Sequence, residues 1–322
     1  MGVIGCAGIA VRRMLPAFAA SPDVEIVAVA SRDAAKARQV AERYGCRAVH
    51  GYAELLAQDD VDAVYVPLPA ALHARWTEAA LSTGRPVLAE KPLTTNPRRT
   101  AELLELAGRS GLVLMENVMF VHHHRHEAVR RLVADGAIGE LRAFHAAFTI
   151  PPLADTDIRY DPELGGGALA DVGVYPLRAA LHFLGSRLGV VGARLTRGAG
   201  RRVETAGAAL LGTPGTVTAQ ITFGMEHAYR SSYELWGSEG SITVDRAFTP
   251  PADHIPVIGL RRGRTAEEIR LAPHDQVAAT VAAFAAAVRT GIPPDDGATL
   301  RQAELLDEIH RFAAREEPHA TG

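Results

Sequence analysis

The sequence predicts an α/β protein in two parts: an N-terminal domain over residues 1–118 built on a parallel sheet, and an α+β domain over residues 119–322 with a large open, mainly antiparallel sheet. The 322 residues exceed one average domain and suit two, each large enough to bury its own core. The first third alternates short β-branched runs with helical patterns, as a parallel sheet covered on both faces requires. Beyond Asn117 the apolar period shortens to two, which means strands with one dry face and one polar face.

Taken in order, residues 2–4, 25–30, 63–66, 87–88 and 112–115 read as buried strands. Helical patterns at 14–20, 34–44, 53–58, 73–83 and 98–109 lie between them, the last opened by Asn96 as N-cap and Pro97 at the first helical position. In the second part, residues 141–150 and 216–223 alternate, with Val217, Ala219, Ile221 and Phe223 on one face. Helices at 126–134, 174–184, 276–289 and 300–315 are expected to cover that apolar face. The opposite, threonine-bearing face is a flat surface suited to a second subunit, so a homodimer or homotetramer through this sheet is expected. The tail 316–322 reads as disordered.

Composition excludes several function classes. A net charge of −3 with no basic run gives no electrostatic case for nucleic acid or an anionic membrane surface. No stretch approaches the ~18 consecutive apolar residues of a membrane span. Cys6 and Cys46 are too few for a disulfide scaffold, and with no targeting segment visible a reducing cytoplasm is expected. The run from His122 to His126 invites a metal, but a zinc site needs three or four ligands converging in space with carboxylate or thiolate help and consecutive side chains diverge, so the run is read as a polar strand-to-helix junction and no metal site is expected.

Gly5-Cys6-Ala7-Gly8-Ile9-Ala10 follows the first strand and opens the first helix, the context of a dinucleotide-binding loop. Gly5 serves the tight turn, while Ala7 and Ala10 are small enough to let the backbone approach a pyrophosphate at a helix N-terminus. The second strand then ends in Ser31-Arg32, a hydroxyl and a guanidinium suited to a 2′-phosphate, so NADP(H) is expected rather than NAD. Asp33 either serves the ribose or caps the following helix. Residues 67–73, stiffened by Pro67 and Pro69, end the next strand, and Pro67, Leu68 and His73 are expected to line the nicotinamide.

Of 34 basic residues only Lys36 and Lys91 are lysines. Arginine stays protonated at any working pH, whereas lysine can be tuned to exchange a proton. Lys91 stands in Ala89-Glu90-Lys91-Pro92 at the carboxyl end of a parallel strand, where ligands of open α/β sheets bind. Glu90 either orients Lys91 or forms a simple ion pair with it. Further on, Gly165-Gly166-Gly167 leads into a helix carrying Asp171 and Tyr175 four residues apart, on one face. Asp171 either binds a substrate hydroxyl or caps that helix.

The Gly5 loop, Ala-Glu-Lys-Pro and the glycine-rich Asp-x-Gly-x-Tyr segment together resemble the Gfo/Idh/MocA oxidoreductases, across nearly the whole chain and in the expected order. The resemblance implies a Rossmann domain, a nicotinamide cofactor and hydride chemistry. Many members carry histidine where this chain has Tyr175, so the chain falls with a tyrosine branch of dihydrodiol dehydrogenases, xylose dehydrogenases and sugar 3-ketoreductases. Segments 119–123, 148–152, 157–160, 223–229 and 248–251 look most similar to nucleotide-sugar C-3 ketoreductases of deoxysugar pathways. That likeness implies NADPH-dependent reduction of the C-3 ketone of a dTDP-linked 3,4-diketo-2,6-dideoxyhexose, with Asn117, Phe120, Arg159, Tyr160 and Asp171 at the substrate.

Tyr175 is the expected proton donor and Lys91 its partner, although Lys91 is an alternative direct acid. Arg159 and Tyr160 suit a nucleotide diphosphate or an ordinary loop surface, and Tyr229, Tyr233 and Trp236 read as sheet packing rather than a base-stacking platform. Competing readings are an NADP-dependent dehydrogenase of a free pentose or trans-dihydrodiol, a non-catalytic NADP-binding regulator, and a Schiff-base lyase using Lys91.

Overall fold

The computed structural model describes residues 1–293 and 297–316, so most of the tail expected to be disordered lies outside the described residues. The chain divides into two compact units, residues 1–119 with 277–299, and residues 120–276 with those from 300 onward.

The first unit holds a six-stranded parallel sheet in the order β3-β2-β1-β4-β5-β6. Its strands are β1 (Gly2–Ile4), β2 (Ala28–Ser31), β3 (Arg47–His50), β4 (Val64–Val66), β5 (Val87–Glu90) and β6 (Leu114–Asn117). Helices α1 (Leu15–Ala20), α2 (Ala34–Tyr44), α3 (Tyr52–Leu56), α4 (Ala70–Ser82) and α5 (Pro97–Arg109) connect them. β3 was not expected: only Val49 of its four residues is buried, so this edge strand lacks the apolar run that announces an interior one. The order reverses between β1 and β4, and ligands of such sheets bind at that switch point. Asn96 caps α5 as expected, its Oδ1 accepting from the backbone N–H groups of Arg98 and Arg99.

The second unit holds an eight-stranded sheet in the order β14-β13-β12-β11-β7-β10-β9-β8. Its elements are α6 (His124–Ala134), β7 (Leu141–Thr149), α7 (Val174–Leu184), β8 (Gly189–Thr196), β9 (Ala206–Gly212), β10 (Thr218–Gly224), β11 (Arg230–Gly237), β12 (Gly240–Asp245), β13 (Val257–Arg262) and β14 (Thr265–Arg270). All neighbours are antiparallel except β7 and β10, which run parallel. The expected alternation holds: Phe144, Ala146 and Phe148 of β7 and Ala219, Ile221 and Phe223 of β10 are buried on one face. α7 lies over β7 and β10 on that face.

Two helices follow, α8 (Gln276–Thr290) and α9 (Ala298–Glu316). α8 corrects an expectation, for it does not cover the second sheet. Its Val277, Val281, Phe284 and Ala287 are buried in the core of the first unit with Val3, Met14, Phe18 and Tyr65. An amphipathic stripe states that a face must be buried, not which sheet will receive it. Among the described residues, no helix is long and apolar enough to cross a membrane.

Candidate active site

In the first unit, the loop after β1 is built as a dinucleotide needs. Gly5 has φ +117°, and a Cβ there would approach Leu68 Cδ2 to 2.8 Å, so only glycine fits without displacement. Its N–H donates to Ala30 O at 2.9 Å, tying the loop to β2. Cys6 turns inward: it is 5 % exposed and burial pushes its thiol pKa up, so it offers a ligand its backbone and not a thiolate. Ala10 is wholly buried and permits close packing, whereas Gly8 is exposed. The Arg12 guanidinium lies over Gly8, with Nη2 3.1 Å from the position a Cβ would take. That cation beside the loop was missed because Arg12 reads as a helix-surface charge.

The end of β2 separates two roles that spacing left open. Asp33 caps α2, its Oδ1 accepting from Ala35 N at 2.9 Å and Lys36 N at 3.2 Å. Ser31 Oγ accepts from Asp33 N at 3.1 Å, and the Arg32 side chain is exposed. The carboxylate is thus engaged with the helix, and the Arg32 side chain is the exposed charge at the end of β2. These residues fit a dinucleotide bearing a 2′-phosphate.

His73 is placed differently from the expectation. The helix begins at Ala70, so His73 lies inside α4, 1 % exposed. Its Nδ1 is 2.8 Å from Pro92 O and its Nε2 2.6 Å from Leu68 O. The ring ties the loop after β4 to the segment after Lys91 and presents no face to a ligand.

Lys91 follows the last residue of β5 and is partly exposed, and the Lys91–Pro92 peptide is cis. Behind it, Glu90 is buried and its Oε1 accepts from the Tyr65 hydroxyl and from Asn117 Nδ2, both at 2.6 Å. Burial pushes the Glu90 carboxyl pKa up; the Tyr65 and Asn117 hydrogen bonds and the Lys91 charge pull it down. Asn117, expected at the substrate, is 2 % exposed and directs its amide N–H to this carboxylate. Tyr65 was missed, since a tyrosine between two valines of a buried strand reads as core. Glu116, next to Asn117 on β6, accepts from Leu93 N at 2.8 Å and from Thr299 Oγ1 at 3.1 Å, fixing the chain just past Pro92.

In the second unit, the glycine run 165–167 is required by space. A Cβ on Gly166 would collide with the carbonyls of Arg159 and Asp161, and Gly167 has φ +131°. Residues Leu169–Gly173 then form a wide π-turn before α7, a device frequent at functional sites. Asp171 lies in that turn and Tyr175 in the first turn of α7, both partly exposed.

The Tyr175 ring packs at 4.9 Å edge-on to Phe148, with Phe248 at 5.9 Å and Phe120 at 6.2 Å. Phe120, expected at the substrate, joins Phe148 and Phe248 in an aromatic collar that orients the phenol. Arg159 is committed: its Nε donates to Asp171 Oδ2 at 2.7 Å and its Nη1 to Asp157 Oδ1 at 3.1 Å. Those carboxylates hold the guanidinium pKa above its ordinary value, Asp171 most strongly. Arg159 therefore orients Asp171, and its charge is already offset where a diphosphate was expected. Tyr160 is 7 % exposed under the Arg201 guanidinium, 3.8 Å from its ring centroid, and its hydroxyl accepts from Leu153 N.

His123 caps α6, its Nδ1 accepting from Arg125 N at 3.2 Å. Among the described residues, no group of three or more His, Cys, Asp or Glu is arranged to hold a metal ion.

Residues 1–118 match the oxidoreductase family with an NAD-binding Rossmann fold, and residues 126–243 match the Gfo/Idh/MocA C-terminal domain. The dTDP-3,4-didehydro-2,6-dideoxy-alpha-D-glucose 3-reductase of Streptomyces violaceoruber is 57 % identical, over 97 % of this chain and 95 % of its own. A D-xylose 1-dehydrogenase (NADP(+)) of Haloferax volcanii is 37 % identical, over 97 % of this chain and 96 % of its own. Among solved structures, a 3-ketoreductase from Actinomadura kijaniata in complex with NADP and TDP-benzene superposes with TM-score 0.94 at 51 % identity, covering 97 % of this chain and 96 % of that one. With both domains matched in order and relatives of this identity along nearly its full length, the chain is a member of the Gfo/Idh/MocA oxidoreductase family.

Proposed function

We propose that the protein is an NADPH-dependent ketoreductase that converts the C-3 ketone of a dTDP-linked 3,4-diketo-2,6-dideoxyhexose to the alcohol, leaving the 4-keto sugar. The observation that carries this reading is 57 % identity, over nearly the whole of both chains, to a 3-reductase of that substrate. The A. kijaniata enzyme, described as bound to NADP and a TDP compound, supports the same substrate class.

The backbone of residues 5–10 with Arg12 suits the pyrophosphate, Ser31 and Arg32 the 2′-phosphate, and Pro67 and Leu68 the edge of the nicotinamide. When bound, the cofactor supplies the hydride that reduces the ketone carbon. The chain's own residues manage the oxygen. A phenol ordinarily ionises near pH ~10 and is protonated at neutral pH, so Tyr175 is a competent donor to an alkoxide. The collar of Phe120, Phe148 and Phe248 holds its ring. The Lys91 ammonium stabilises developing negative charge, with Glu90 behind it held by Tyr65 and Asn117. Asp171, held by Arg159, accepts a hydrogen bond from a sugar hydroxyl in this reading.

The outer face of the eight-stranded sheet supports association of two copies. It carries Trp236, 43 % exposed and 4.3 Å from the His145 ring, and a shallow depression of about 800 Å³ lined in part by Glu234, Thr243 and Arg261. Sedimentation of Trp236→Asp beside the wild type tests this, a shift toward monomer being expected.

The test of function is a coupled assay in which the diketo sugar nucleotide is generated in place and NADPH consumption is followed with product identification. Oxidation of NADPH matched by appearance of the 4-keto-2,6-dideoxy sugar is expected. No turnover there, with turnover on free xylose, would replace this reading by the pentose dehydrogenase.

A further inference from the structure

Tyr229 stands immediately before β11 and continues the inward set of that strand, Ser231, Tyr233 and Leu235. Those three are 4 %, 2 % and 1 % exposed, yet Tyr229 is 48 % exposed. Sheet packing therefore accounts for Tyr233, whose hydroxyl meets His126 Nδ1 at 2.9 Å, but not for Tyr229. Single exposed apolar rings are common and need no explanation by themselves; the position of this one is what bears on function. Its ring lies 6.5 Å edge-on from Phe148, and Phe148 lies 4.9 Å edge-on from Tyr175. The three rings form a row that starts at the reactive phenol and ends in solvent. The main chain beneath the outer ring is fixed, since Thr149 Oγ1 donates to Ala228 O at 2.6 Å.

Association through the outer face of the sheet would leave Tyr229 uncovered, because it belongs to the inner face with Phe148. A sugar whose C-3 oxygen meets Tyr175 carries its nucleotide on C-1, on the same ring, so the substituent must leave the phenol along some wall of the site. In that row Phe148 is buried and backs the outer ring, and Tyr229 offers the open aromatic face. We propose that Tyr229 is the platform on which the planar base of the nucleotide-sugar stacks. This deepens the nucleotide-sugar reading and rests on it. Every base has a π-face, so the platform adds affinity for a base-bearing diphosphate, and stacking of this kind corresponds to roughly ten- to hundred-fold in binding.

Calorimetry on the NADP-saturated enzyme tests this with two probes, thymidine 5′-diphosphate and 2-deoxyribose 5-diphosphate, which lacks the base. Tyr229→Phe should keep wild-type affinity for both. Tyr229→Leu, apolar but without a π-face, should weaken thymidine diphosphate roughly ten- to hundred-fold and leave the abasic probe unchanged. Unchanged thymidine diphosphate binding in Tyr229→Leu overturns the platform while the nucleotide-sugar reading stands. Equal weakening of both probes overturns it as well, for that is a structural effect. If the wild type binds neither probe, the nucleotide-sugar reading fails and takes the platform with it.

Discussion

Tyr65→Phe removes one oxygen atom from the buried layer behind Lys91 and makes a quantitative demand on the pH dependence. The lost O–H lies 2.6 Å from Glu90 Oε1. A hydrogen bond to a charged acceptor contributes about 1.5–3 kcal/mol, and one pKa unit corresponds to about 1.4 kcal/mol, so the Glu90 pKa should rise by roughly one to two units. The rise adds to the upward push of burial, with Asn117 remaining as a donor to the same oxygen. A protonated Glu90 no longer offsets the Lys91 ammonium, so the acid limb of kcat/KM for ketone reduction should move to higher pH by the same one to two units. The assay is the pH profile of kcat/KM for both proteins, with the carboxyl stretch of Glu90 followed by infrared difference spectroscopy. A superimposable acid limb, whatever happens to thermal stability, would refute the coupling of Tyr65 through Glu90 to Lys91.

Tyr175→Phe should keep the fold, since the collar contacts are made by the ring, and lower kcat by ~10²-fold, the scale of a lost general acid; Lys91→Arg should fail to restore wild-type turnover in a steady-state assay. Arg32→Ala should raise the KM for NADPH by ~10-fold or more and leave that for NADH unchanged, because only NADPH presents a 2′-phosphate. Acid should destabilise the protein from the side of its buried histidines. Burial and Arg125 hold His123 down to about 3, and His126, wholly buried, is also held well below its ordinary value. As pH falls below ~6.5 the unfolded chain takes up these protons first, so each of the two removes about 1.4 kcal/mol of stability by pH ~5.5. Urea denaturation at a series of pH values checks this, and replacing His126 by Gln should flatten the slope.

Legibility in the sequence followed how local each determinant is. Gly5 was readable because a tight turn after a strand has few solutions, and Asn96-Pro97 because a helix start is a matter of adjacent residues. Lys91 and Tyr175 stood out because their residue types are unusual at those places. Tyr65 and Phe148 did not, since an aromatic residue in a strand is core by default, and only neighbours distant in sequence turn one into a donor and the other into part of a collar. Asn117 and Arg159 were singled out, but their partners, Glu90 and Asp171, change what each side chain is free to do.

The sequence by itself determined the two-part α/β architecture, the dinucleotide loop, the strand-end lysine and the helical tyrosine, because each is written in short-range periodicity or in a compact motif. Only the tertiary structure decided which core receives α8, that Asp33 caps its helix and leaves Arg32 presented, that His73 ties two segments together, and that Tyr229 is bare while Tyr233 is buried. Those outcomes depend on packing and hydrogen bonding between residues far apart in the chain. A face to bury or a donor to satisfy is evident locally; the partner that meets it is not.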